Sequence, residues 1–330
     1  MRKGSDNREP RIEITMKAIM YHYVRPHDPE LPYFRYLHID DFVKQLEYFG
    51  NEYGFIGKKE FLECLSSGEP KDGVVLTFDD GLRDHYRFVF PELMKRNLWG
   101  IFYLPASPFL TSKLIDVHCI HMLLGKHGGK AIAEVMQKIV TDKMLSRKYI
   151  DEFRTKTYIG QDNTASTDYV KKLLNYYINY EYRQQAIKEL MFIFYPNEKD
   201  LAHDFYMTKA ELADMHSNGM TLGSHTVNHL VMSKLTPEGQ EAEIALSFQV
   251  LEAITGGADL RTFSYPYGGF HSFTGETEKI LDRYFCKFSF NLESRDITKN
   301  DLINHPQALP RFDCILFPYG FCRDEREEST

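Results

Sequence analysis

The sequence has no CxxC pair and an odd number of cysteines, five in 330 residues: Cys64, Cys119, Cys286, Cys314 and Cys322. That argues against a disulfide framework and for reduced thiols. No apolar run approaches the roughly 20 residues a membrane helix needs, so no membrane span is expected. Cations are not in surplus either. Against 40 Lys and Arg stand 47 Asp and Glu, a formal net charge of −7, and a broad nucleic-acid surface is not expected. The opening MRKGSDNREPRIEIT lacks the apolar core and small-residue cleavage site of a secretory signal. We expect residues 1–15 to form a flexible tail and the protein to be cytoplasmic.

What is present is an ordinary globular composition, 43% hydrophobic and 26% charged. It is enough for one large domain or two average ones. Strand patterns fall at KAIMYHYV (17–24), GVVLTF, WGIFYLP (99–105), MTLGSH (220–225), RTFSYPYGG (261–269) and YFCKFSF (284–290). Helical patterns alternate with them over 39–53, 58–66, 84–97, 208–219, 236–256 and 274–283. Thr208 and Glu211 have capping-box spacing, and Gly219 supplies a stop.

From about 111 to 200 the rhythm is helical only, with a helix ending at Gly128–Gly129 and another over KAIAEVMQKIV. We read residues 16–330 as one domain carrying an all-helical insertion there. The Tyr-rich stretch YVKKLLNYYINYEY (169–182) reads as an interhelical core, and Lys171–Lys172 as a solvated face. Such alternation predicts an α/β fold with a parallel sheet, as a closed barrel or an open doubly wound sheet. In either, chemistry collects at the carboxyl ends of the strands.

Asp79, Asp80, His225 and the YPYG turn all fall at such ends. In SHTVNH, His225 and His229 are four apart, which brings two imidazoles to one side. Two His and one carboxylate leave coordination positions open, the composition of a catalytic zinc site. Adjacent aspartates can then divide the labour, one on the metal and one as base, while Gly81 permits a sharp turn. Taken singly, an Asp-Asp-Gly is usually a turn and a His-x3-His usually surface or core. The combination is rarer.

TFDDG, SHTVNH and a strand-end PYG together resemble the polysaccharide deacetylases of carbohydrate esterase family 4, over about 17–105 and 205–315. The resemblance implies a distorted (β/α) barrel of about seven parallel strands and metal-dependent removal of an acetyl group from a sugar. It implies Asp79 as base, Asp80, His225 and His229 as ligands, and one divalent ion, zinc in the commonest form of the family. Two features depart from that pattern. Ser264 and Tyr265 stand where an Arg is usual, and the C-terminal Leu-x-His acid is not evident, His305 lying in another context.

IMYHYV resembles a rearranged branch in which a first-strand Tyr-His supplies the acid, which makes His22 the acid and leaves Arg311 to replace the missing Arg. Substrate contacts are expected from Tyr265, Pro266, Tyr267 and Gly268, with the Tyr267 N–H facing the oxyanion, and from His118 at the start of the helical region. The expected partner is an acylated amino sugar or glycan intermediate. A non-sugar amide, or a degenerate glycan-binding scaffold, is the alternative. The oligomeric state is not encoded in these motifs.

Overall fold

A computed structural model describes residues 15–322 apart from 159, 160, 162, 196–200, 258 and 259, so residues 1–14 of the expected tail lie outside the described residues. Among the described residues there are nine strands: β1 (Met16–Tyr21), β2 (Val24–Arg25), β3 (Leu37–His38), β4 (Gly73–Phe78), β5 (Gly100–Leu104), β6 (Thr221–Ser224), β7 (Thr262–Ser264), β8 (Phe288–Phe290) and β9 (Phe312–Asp313). Seven form one sheet in the order β8-β7-β6-β5-β4-β1-β9, every neighbouring pair parallel. The sheet curls until its edges approach. Phe290 bridges Leu309, with Asn291 N–H donating to Leu309 O at 2.9 Å and Leu309 N–H to Ser289 O at 2.9 Å. The expected distorted seven-stranded (β/α) barrel is thus the observed architecture, its closure resting on that short bridge.

Strands β1, β4 and β5 are buried along their whole length, as a parallel sheet covered on both sides requires. Stacked rings of Tyr21, Phe78 and Phe102 lie on the face of the sheet that the helix Ile39–Glu52 covers, with Phe42 edge-on to Tyr21. Thr208 caps the helix Lys209–Ser217 and closes the expected box with Glu211.

Two strand readings need correction, and one strand has no sequence reading at all. The first strand stops at Tyr21, and Val24–Arg25 pairs instead with Leu37–His38. YFCKFSF contributes only Phe288–Phe290, because Tyr284 caps the preceding helix and Phe285 takes φ +57°. The two-residue β9 was too short to show a pattern.

Between β5 and β6 the described residues hold helices and turns. The principal helices are Asp116–Ile139, Arg147–Phe153, Ala165–Lys172, Tyr180–Phe194 and Leu201–Phe205. They share a hydrophobic core of their own that includes Ile120, Leu123, Ile132, Leu174 and Leu190. Within 169–182, Tyr176 is buried as expected of a core, whereas Tyr169 is exposed. Among the described residues, no helix is long and apolar enough to cross a membrane.

Register fixes the site. Tyr21 pairs with Phe78, and Leu104 with Ser224. The first residues past these strands therefore emerge at one rim. Their backbones continue the ladder for one step: Asp79 N–H donates to Tyr21 O, His225 N–H to Leu104 O (both 2.9 Å) and Tyr265 N–H to Phe290 O (3.1 Å).

Candidate active site

At that rim Asp80, His225 and His229 bring one oxygen and two nitrogens within 4.8 Å of one another, all three residues buried. Asp80 Oδ1 stands 3.3 Å from His229 Nε2 and 3.6 Å from His225 Nε2. His225 Nδ1 lies 2.7 Å from Ser264 O. A carbonyl only accepts, so Nδ1 carries the hydrogen and Nε2 presents its lone pair to the cluster. Burial pushes the His225 pKa down to about 4, and the neutral ring is the ligating form.

Asp80 Oδ1 is buried and has no hydrogen-bond partner. An unpartnered buried carboxylate oxygen is costly unless a cation meets it. The donor set, one oxygen and two imidazoles, fits a zinc-like divalent ion.

The second oxygen of Asp80 faces His118. His118 Nε2 stands 3.1 Å from Oδ2, and His118 Nδ1 stands 2.6 Å from the Tyr206 hydroxyl, which also accepts the Ile115 N–H at 3.1 Å. Burial lowers the His118 pKa, so the ring is neutral with one hydrogen. Burial by itself raises the Asp80 pKa, but His118 and His229 outweigh it and hold the carboxyl well below its ordinary range. His118, expected to touch substrate, is fully buried against Asp80, and it is His121 that lines the cleft.

Asp79 is held by Arg311. Nη1 donates to Oδ1 at 2.9 Å and Nη2 to Oδ2 at 2.8 Å, a bidentate pair in which both residues are buried. Thr77 Oγ1 and Ser264 Oγ accept the other Nη1 and Nη2 hydrogens at 3.0 and 2.8 Å, and Ser264 donates onward to Asp79 at 3.2 Å. Burial raises the Asp79 pKa, but Arg311 and then His225 overcome it, and the carboxyl sits at about 2. His22 faces the same space, its Nε2 3.9 Å from Asp80 Oδ2, and its carbonyl is 2.6 Å from His85 Nε2.

Backbone strain concentrates here. Asp80 (φ +82°), Thr226 (+66°), His229 (+54°) and Tyr267 (+66°) all lie in the left-handed region. Each such residue costs on the order of 1–3 kcal/mol and persists only where its surroundings over-determine it. Glu243 provides that for the histidine loop, accepting the Val227 and Asn228 N–H groups at 2.9 and 2.8 Å and the Asn228 amide at 2.6 Å. Thr226 Oγ1 accepts the His229 N–H at 2.9 Å. Replacing Glu243 with Leu is expected to weaken zinc affinity by about 10–100-fold with every ligand intact, as loss of a supporting partner does elsewhere; competition with a fluorescent chelator measures it.

Tyr265–Gly268 is a tight turn, closed by Gly268 N–H to Tyr265 O at 3.2 Å, with Pro266 at its second position and positive φ at Tyr267. A Cβ on Gly268 would stand 2.3 Å from Leu292 Cβ. Tyr265, expected at substrate, stacks its ring on Phe273 at 3.8 Å and donates its hydroxyl to Gln307 O at 2.6 Å. Tyr267 packs edge-on against His229, its hydroxyl donating to Asn175 at 3.1 Å. A cleft of about 530 Å³ joins these groups, with Asp79, Asp80, His22 and Arg311 on one side and Tyr158 and Tyr176 of the helical region on the other. That is room for a small ligand.

Fold and site together define a curled parallel barrel whose strand ends hold a two-histidine, two-carboxylate centre. A family model described as polysaccharide deacetylase matches residues 166–284, which takes in His225, His229 and the YPYG turn but not the Asp pair. It also reaches into the helical region that the motif resemblance leaves out. The putative polysaccharide deacetylase YxkH of Bacillus subtilis (strain 168) is 29% identical over 85 residues, 26% of this chain and 29% of that relative's length.

Among solved structures, Streptococcus pyogenes deacetylase PplD in complex with acetate is similar at a TM-score of 0.55 and 17% identity, over 91% of this chain and 92% of that one. IcaB from Ammonifex degensii is similar at 0.52 and 17%, over 91% of each chain. Their likeness is one of fold. The resemblance carried by the motifs is therefore borne out: this chain is similar to the polysaccharide deacetylases in family model, in a curated relative and in architecture.

Proposed function

We propose that the protein is a metal-dependent hydrolase that removes an N-acyl group, most simply acetyl, from an amino sugar or glycan intermediate. One observation carries the reading: a buried Asp80 oxygen without a partner faces two imidazole nitrogens, while Asp79, next in sequence, stays outside that cluster on Arg311. A binding module has no use for a second, separately held carboxylate.

Asp80, His225 and His229 would hold the ion, which when bound polarises the acyl carbonyl and acidifies water. Asp79 takes the proton of the attacking water, and Arg311 fixes its two oxygens in one plane. The Tyr267 backbone N–H, presented by the YPYG turn, stabilises the oxyanion. His22, which lines the same cleft, gives a proton to the departing amine. Five free thiols fit a reducing compartment.

Purified protein reconstituted with zinc is expected to release acetate or formate from at least one N-acylated amino sugar. A chelator should stop the release and added zinc restore it. If a broad panel of such sugars yields no acid while non-sugar amides are hydrolysed, the amino-sugar assignment is wrong.

A further inference from the structure

Beside the catalytic cleft lies a second cavity of about 320 Å³. The two share Tyr23, His121 and Lys171 as a common wall. Arg35, Lys130 and Lys171 line the second cavity, and among the described residues no carboxylate does. Two helix starts open onto it. Gly128, at φ +74° and ψ 160°, breaks the helix Asp116–Ile139, so a new helical run begins at Gly129–Lys130. Thr164 caps the start of Ala165–Lys172, and Thr164 and Thr167 are in the wall. The two starts abut, since a Cβ on Gly129 would lie 2.5 Å from the Thr167 nitrogen. Helix starts carry unsatisfied N–H groups and partial positive charge.

Lys171 is the unusual member. Its sequence context reads as a solvated face, but its side chain is half-buried in the wall between the two cavities, and burial and then Arg35, against Asp168, bring its pKa down to about 8. Among the described residues it has no carboxylate partner. Amide oxygens of Gln161 and Asn163 stand at 3.3 Å, and the Tyr158 ring lies 5.4 Å away. A desolvated cation close to a guanidinium and to helix starts is stabilised when an anion arrives.

We propose that this second cavity is a subsite for a phosphate group of the substrate, covalently attached to the acylated amino sugar whose acyl group lies in the cleft. The sugar part of this assignment rests on the function proposed above; the phosphate part rests on the cavity. Three cations, the Ser166 hydroxyl and the positive ends of two helices, one of them already capped by Thr164 on the Thr167 N–H, give this wall a charge that suits phosphate better than carboxylate. Phosphate of this kind occurs in sugar 1-phosphates, nucleoside diphosphate sugars and lipid diphosphate sugars.

The test is calorimetric binding to the full chain carrying Asp79→Asn, which blocks turnover. The probes are N-acetylglucosamine, its 1-phosphate, its uridine diphosphate and alkyl diphosphate esters, and an N-acetylated aminouronic acid. The 1-phosphate should bind roughly tenfold or more tightly than the neutral sugar, and Lys171→Met and the exposed-site variant Lys130→Met should each cut that ratio at least about threefold. Further tightening by the uridine ester points to a nucleotide source, and by the alkyl ester to a lipid source.

Equal binding of neutral and phosphorylated sugars overturns the proposal. So does a preference that survives both substitutions, or one the aminouronic acid shares. Inorganic pyrophosphate added to the metal-free chain separates the two assignments. If it binds and Lys130→Met weakens it, the subsite stands even where no acylated sugar is hydrolysed. Hydrolysis of neutral sugars without a pyrophosphate site overturns the subsite alone.

Discussion

Asp79→Asn is expected to lower kcat by about 10²–10⁴-fold, the usual worth of a positioned general base, while the chain still binds zinc stoichiometrically. The asymmetry follows from how the aspartates are held. Asp80 turns one oxygen to the His225–His229 cluster and the other to His118. Asp79 lies 4.0 Å from His225 Nε2 and has both oxygens on Arg311. Asparagine retains the shape but cannot take a proton, and its amide hydrogens oppose the Arg311 fork.

Asp80→Asn should do the reverse, lowering metal content first and activity as a consequence. Metal analysis on dialysed protein, set against single-turnover rates at saturating zinc, separates the two. If Asp79→Asn emptied the site while Asp80→Asn left it full, the assignment of base and ligand would have to be exchanged.

Much of this centre was legible in the sequence because its ligands are local. Asp79–Asp80 and His225–His229 each sit within five residues of a strand end, and strand ends in a parallel barrel share a rim. Arg311 came from the family resemblance, as the arginine in LPRFD that could replace the one missing beside Asp79.

What supports these groups was not legible. Thr77 had a signal, a lone hydroxyl in an apolar strand two residues before Asp79 and so on the same face. Ser264 had one in the motif position where an Arg is usual; Tyr206 and Glu243 had none, since each acts through a contact the fold makes. The position of His118 depended on how the helical region docks, which periodicity does not give. The same gap explains Lys171, which reads as solvent-facing until the helix Ala165–Lys172 is set against Gly129.

Arg311→Met is expected to produce the largest loss of stability of any substitution considered. It removes one partner of a fully buried bidentate pair and leaves Asp79 charged, desolvated and short of two hydrogen bonds, a change that typically costs about 3–5 kcal/mol. It also acts on pH dependence, with a definite sign. In the intact protein Asp79 titrates at about 2, below the ordinary carboxylate value of 3.8, chiefly because Arg311 opposes the upward push of burial. The stability this pair contributes is therefore present above pH 4 and lost as pH falls toward 2. Without Arg311 the upward push of burial is no longer opposed by its principal counterweight. The acid limb of the kcat/KM profile should move to higher pH, and the stability of the variant should change less between pH 4 and 2.

Asp79→Leu combined with Arg311→Met should recover much of the lost stability, because two apolar groups leave no unpaired charge, yet remain inactive. Chemical denaturation of the two single variants and the double variant closes the cycle. If the loss in the double variant equalled the sum of the two single losses, the Asp79–Arg311 pair would have no net coupling, and Arg311 would be packing around the base without holding it.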